Sequence, residues 1–301
     1  MTAVEFTING APVSVPAAGS LLDALRESLG LHGAKDGCSP QGQCGCCTVW
    51  VDGQPRVSCV TPVSRVRHRS VTTIEGLPDA DAWATSFAEH GASQCGFCTP
   101  GIIMRAAALV ASKRTSEAAV CQSLLAHQCR CTGWQSVVAA IVDGPVSVAD
   151  VADRGEQRSE HGADEAGAAA ARRATIEGGV PQTVGPLVAV GHGGFADDTA
   201  PDDALVALRN ANGDWVVGET LQQARELSGK VQGRRTTAPL SWPVDVPAGD
   251  WARTLQTTWV EPGYLEPDAS WCAPGAEPMS SHGNGGAFGG KESGELGIVA
   301  R

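Results

Sequence analysis

Apolar and polar positions alternate at the start of the chain and then shift to a helical period. Val4 to Ile8 alternates apolar and polar like a strand, Asn9-Gly10 is a two-residue hairpin signal, and Pro12 to Val15 predicts the returning strand. Ser20, with Asp23 three residues on, predicts a helix start. Leu21, Leu22, Leu25 and Leu29 then share one face, and Gly30 predicts the stop. After a loop crowded with Cys and Gly, Thr48 to Val51, Asp52-Gly53 and Arg56 to Val60 predict a second hairpin, and Val71 to Ile74 a last strand.

From residue 77 the period becomes helical. Ala82 to Glu89 predicts one helix. Pro100 suits a first helical turn, with Ile102, Ile103, Ala106 and Leu109 on one face, and Ser116 to Ala126 and Gln135 to Val142 complete four. Residues 149–183 lose their large apolar side chains to charge, Gly and Ala, which predicts a linker with a weak helix around Ala168 to Arg173. Residues 184–301 are rich in Gly, Pro and Trp, have few periodic runs, and are not expected to pack a full core of their own. The fold class expected is α+β: a β-grasp unit over 1–76 and a four-helix unit over 77–148, then linker and tail.

Composition narrows the chemistry. The 301 residues carry a formal net charge of −11 without a basic stripe, which argues against nucleic acid as partner. No apolar run reaches the roughly 18 residues of a membrane span. Met1 to Gly10 lacks a signal-peptide pattern, so the expectation is a cytoplasmic protein. There, 11 Cys read as metal or redox chemistry rather than disulfides.

The cysteines fall into two sets. Cys38, Cys44 and Cys47 sit in one loop whose glycines let the backbone wrap, and Cys59 returns on the second hairpin. The plant-type spacing leaves four residues between the first two ligands; here Ser39 to Gln43 make five, which a loop absorbs. Cys46, adjacent to Cys47, is out of phase. Cys95 and Cys98, with Cys129 and Cys131, sit where helix-terminal turns offer N–H groups to thiolates. Each set suits a 2Fe–2S cluster. Zinc is the rival for the second, although Cys-x-Cys is unusual for it. Cys121 reads as a helix core residue and Cys272 as incidental. Trp134 reads as packing over the second set, and the seven His residues show no metal-ligand pattern.

With these residues in view, 1 to about 148 resembles the iron–sulfur subunits of the xanthine dehydrogenase and molybdenum hydroxylase family. Gly37 to Val49 (GCSPQGQCGCCTV), Cys59 and Val71 to Leu77 (VTTIEGL) resemble its plant-type ferredoxin domain. Gln94 to Gly101 (QCGFCTPG) and Cys129 to Gly133 (CRCTG) resemble its helical domain. The resemblance implies two 2Fe–2S clusters, a flavin beyond the first, and a molybdopterin beside the second, bordered by Gln94 and Cys131. The tail resembles the start of the family's molybdenum-binding subunit, at Gly194 to Asp198 (GFADD), Val260 to Asp268 (VEPGYLEPD) and Gly285 to Glu292 (GGAFGGKE). That implies cofactor contacts from Gly285, Gly286, Gly289 and Gly290, and a substrate-side role for Phe288 and Glu292.

Stretches the family carries between Pro278 and Asn284 and beyond the Gly-rich loop are missing, the catalytic Glu among them. The resemblance therefore implies a large molybdenum-binding partner and an FAD-binding partner. It points to purine-type oxidation, while aldehyde and carbon monoxide oxidisers share the cluster domains. The residues alone leave two other classes open: a free-standing ferredoxin-like carrier and a zinc-stapled interaction module.

Overall fold

The computed structural model describes residues 3–38, 40–146, 168–169, 171–172, 183, 185–229, 246–255, 264–279, 285–287 and 294–301. Most of the expected linker, including the rest of the Ala168 to Arg173 helix, lies outside the described residues.

Strands β1 (Ala3–Ile8) and β2 (Ala11–Pro16) pair antiparallel around Asn9-Gly10, both at positive φ, as a tight hairpin turn requires. Helix α1 (Leu21–Asp23) opens with the reciprocal Ser20–Asp23 capping box. It widens into a π-turn over Ala24–Ser28 rather than continuing as the regular helix expected. Strands β3 (Thr48–Val51), β4 (Gln54–Val57) and β5 (Ser70–Thr72) complete a five-stranded sheet in the order β2-β1-β5-β3-β4. Only the β1–β5 pair is parallel.

Two strands end earlier than their sequence suggests, each because of a polar side chain. Ser58 donates from N and Oγ to the Cys47 carbonyl, at 3.1 and 2.8 Å, and turns Ser58–Val60 into a 3-10 bend. The Asn9 side chain brackets Thr73, accepting from its N at 2.9 Å and donating to its Oγ1 at 3.0 Å, and Ile74–Gly76 bends away.

Four helices follow: α2 (Ala80–Glu89), α3 (Thr99–Ala111, with Pro in its first turn), α4 (Glu117–Ser123) and α5 (Gln135–Asp143). One core runs through both units. Val4, Phe6, Leu21, Leu25, Val49 and Val71 fill the sheet side, and Trp83, Phe87, Ile102, Ile103, Val137 and Ile141 the helical side. Their join is close. Trp50 Nε1 on β3 donates to the Met104 carbonyl of α3 at 2.7 Å. A Cβ on Gly101 would meet Gly45 O at 2.3 Å and Cys46 Cα at 2.9 Å, so α3 starts flush against the cysteine loop.

The described tail lies on this body. Helix α6 (Pro186–Ala189) packs on α2, and α7 (Ala196–Thr199) follows it. Strands β6 (Val206–Arg209) and β7 (Trp215–Gly218) form a hairpin covered by α8 (Leu221–Ser228), which Thr220 caps. A last helix, α9, spans Gly294–Ala300. None of the described helices is long and apolar enough to cross a membrane.

Candidate metal centres

The loop between α1 and β3 carries Cys38, Cys44 and Cys47, all buried, and the Ser58–Val60 bend carries Cys59 back to them. Gly45 makes the wrap possible. Its φ is +72°, and a Cβ there would lie 2.5 Å from the His127 ring and 2.9 Å from the Ala126 carbonyl. The Gln41 N–H donates to Cys38 Sγ at 3.2 Å.

The four thiols hydrogen-bond to one another: Cys38 with Cys44 and Cys59, and Cys47 with Cys59. The neighbouring thiols hold Cys38 far below the ordinary thiol range, and Cys59 does the same more mildly to Cys47. The donors in these contacts, Cys44 and Cys59, are pushed far up. Thiols share protons this way only when crowded onto common ground.

The second set forms at the other side of the join. Cys98 stands at the N-cap of α3, with Cys95 three residues before it, and Cys129 and Cys131 occupy the turn between α4 and α5. Cys131 Sγ donates to Cys95 Sγ at 3.5 Å, and Cys129 is in hydrogen-bond contact with Cys98 and Cys131. Thr132 Oγ1 lies 3.2 Å from Cys129 Sγ. Hydrogen bonds from Cys131 and Cys98 depress Cys129, and the one from Cys131 depresses Cys95; Cys98 and Cys131 are raised in return.

Each set is thus two contacting pairs joined by a further contact: Cys38–Cys44 with Cys47–Cys59, and Cys95–Cys131 with Cys98–Cys129. Two thiolates for each of two irons is the donor set of a 2Fe–2S cluster. The residues present fit the cluster.

Several other expected residues meet at the second set. The Gln94 amide, exposed, donates to the Cys131 carbonyl at 3.2 Å. A Cβ on Gly286 would lie 3.5 Å from Cys131 Sγ, and one on Gly285 would overlap Glu266 of the YLEPD stretch, so Gly286 lies beside Cys131 and Gly285 against Glu266. Glu266 is buried and its charge opposes ionisation of Cys95. Phe288, Gly289, Gly290 and Glu292 lie outside the described residues.

Cys121 is not a core residue. It is exposed on α4, because the buried face of that helix is Val120 and Leu124. Cys272 is half-buried and donates to the Ala273 and Ala276 carbonyls, at 3.3 and 3.2 Å. Cys46 is fully buried beside Cys44. His127 is buried between the two units, near Thr48 Oγ1, and burial pushes it down to about 4, so it stays neutral.

Comparison with known proteins matches two family models: "2Fe-2S iron-sulfur cluster binding domain" at residues 1–66 and "[2Fe-2S] binding domain" at residues 73–142. Isoquinoline 1-oxidoreductase subunit alpha of Brevundimonas diminuta is 43% identical over 148 residues, which are 46% of this chain and 94% of that protein. The xanthine dehydrogenase iron-sulfur-binding subunit of Escherichia coli O157:H7 is 37% identical over 147 residues, 92% of its length. The solved aldehyde oxidoreductase of Desulfovibrio gigas superposes with a TM-score of 0.53 at 28% identity. That match covers 69% of this chain and 23% of that enzyme.

Proposed function

The chain belongs to the family of 2Fe–2S-binding small subunits of the xanthine dehydrogenase and molybdenum hydroxylase type and is an electron-transfer subunit of such a complex; on that premise we propose that Cys38, Cys44, Cys47 and Cys59 hold one cluster and Cys95, Cys98, Cys129 and Cys131 the other. The single observation that carries this assignment is the double pairing of thiols in each set. When bound, such clusters supply one-electron redox capacity.

The protein's own part is to place and tune the sulfurs. The Gln41 N–H and the Thr132 hydroxyl lie against one sulfur of each set and favour its charged form. The start of α3 adds a partial positive charge at Cys98. Burial of the first set excludes water from it.

Partners follow from the same reading. A large subunit supplies the molybdopterin on the side of Gln94, Cys131, Gly285 and Gly286, and an FAD-binding subunit lies on the side of the first set. The tail acts as part of the molybdenum-side wall, with Phe288 and Glu292 toward substrate. Support comes from the superposition on aldehyde oxidoreductase, whose 69% share of the chain exceeds the 46% aligned to the small subunits. For substrate we favour a nitrogen heterocycle of the xanthine or purine class, oxidised at carbon. Isoquinoline, nicotine, nicotinate and xanthine stand in the names of similar small subunits.

The test is metal and spectroscopy. Anaerobically reconstituted protein should contain about four Fe per chain and show two distinct signals of reduced 2Fe–2S centres by EPR. Zinc in place of iron, or a single signal, overturns the assignment.

A further inference from the structure

Two cations of the cluster-bearing part are buried: Lys35 is 1% exposed and Arg26 7%. Within residues 1–146 their described hydrogen bonds go to backbone carbonyls alone. Arg26 Nη1 donates to His32 O and Ala34 O at 3.2 and 3.0 Å, and Lys35 Nζ to His32 O at 2.7 Å. Glu27 and Glu75 add charge nearby without a hydrogen bond to either. The carboxylates described in ion pairs with them come from the tail. Arg26 Nη2 reaches Asp197 Oδ2 at 2.8 Å and Asp198 Oδ1 at 2.9 Å, and Lys35 Nζ pairs with the other oxygen of Asp198.

The backbone and an aromatic ring complete the grip. His32 Nδ1 lies 2.8 Å from the Asp198 carbonyl, and Lys35 also donates to the Gly191 carbonyl at 2.9 Å. Phe195 sets its ring edge-on to Phe97, centroids 5.2 Å apart, with the Lys35 ammonium 5.5 Å from its centre. A second lock of reversed polarity lies on α8, where Arg225 pairs with Asp23 at 3.0 Å and with Asp36.

A buried cation without an anion is costly, so a surface holding two of them calls for an acidic occupant. We propose that Arg26, His32, Lys35 and Phe97 form a receptor for an aromatic-x-Asp-Asp segment. The chain fills it in cis with Phe195 to Asp198. By this the tail from Pro186 to Ser228 stays on the cluster-bearing part as a bound body that needs no connecting chain. A partner bringing its own aromatic-x-Asp-Asp segment is shut out of this site.

The test uses the full iron-loaded chain with a specific protease site inserted between residues 150 and 183. After cleavage the two pieces should co-elute on gel filtration. Excess synthetic peptide spanning residues 191–200 should displace the tail piece, and the same peptide with both Asp changed to Asn should not. In the cleaved protein, Asp197→Asn with Asp198→Asn should weaken retention on the order of a hundredfold, because it strips both buried cations of their anions. Pieces that part on cleavage, or a double variant retained as tightly as the original, overturn the proposal. Iron content read on the same fractions keeps this outcome separate from the cluster assignment, since a tail held on an iron-free body would count against the clusters alone.

Discussion

At the scale of single residues, the chemistry rests on which sulfur touches which. Cys129 is in hydrogen-bond contact with Cys98 and Cys131 of its own set. Cys129→Ser should therefore erase one of the two EPR signals and leave the other, and loss of both would merge sites kept apart here. Gly101 is constrained by space rather than by chemistry. An Ala Cβ there would press on the backbone of Gly45 and Cys46, which cannot swing aside as a side chain can. Gly101→Ala should cost about 1–3 kcal/mol, read as a lower thermal midpoint.

The grouping of the eight thiols into two sets was legible from type and spacing, because cysteines recurring in short loops are carried close to one another. Lys35 and Arg26 were not legible. A charge in a loop ordinarily reads as solvated, and their partners lie more than 160 positions away. Cys121 was misread because lying in a helix does not tell which face a residue takes. Val120 one position earlier claims the interior.

At the scale of elements, the hairpins announced themselves through Asn9-Gly10 and Asp52-Gly53, since the left-handed turn narrows the choice of residue. The strand ends did not. They are set by Ser58 and Asn9 reaching other segments, which local propensity cannot foresee.

Helices α2 and α5 are fastened at their C-terminal ends by His90 Nε2 and Asp143, 2.9 Å apart. The hydrogen bond to Asp143, with a second to the Ser86 carbonyl, raises His90 above its usual value. The bond thus favours the protonated ring, so its stabilisation is complete below the unfolded value of about 6.5 and fades as pH climbs through the higher folded value. Wild type should melt above His90→Gln at a pH below the unfolded value of about 6.5, and the gap should narrow as the pH is raised. A gap independent of pH would mean that the ring acts by packing alone.

At the scale of the whole molecule, one core spans both cysteine-bearing units, while the described tail buries its apolar residues, Val188, Ala189 and Phe195, against them. That a tail without long periodic runs would lack a full core could be seen in the sequence; where it would lie could not. If its Gly-rich loop serves the substrate side, Glu292→Gln in the assembled complex should lower turnover with iron content unchanged. Unaltered kinetics would remove that residue from the site.

The grip of Lys35 on Asp198 also sets an order of events during synthesis. The last of the paired cysteines, Cys131, leaves the ribosome 67 residues ahead of Asp198 (198 − 131). At roughly 5–20 residues per second that is an interval of about 3–13 s. Through those seconds every paired cysteine is already out, while the acidic segment that Lys35 will hold has yet to be made.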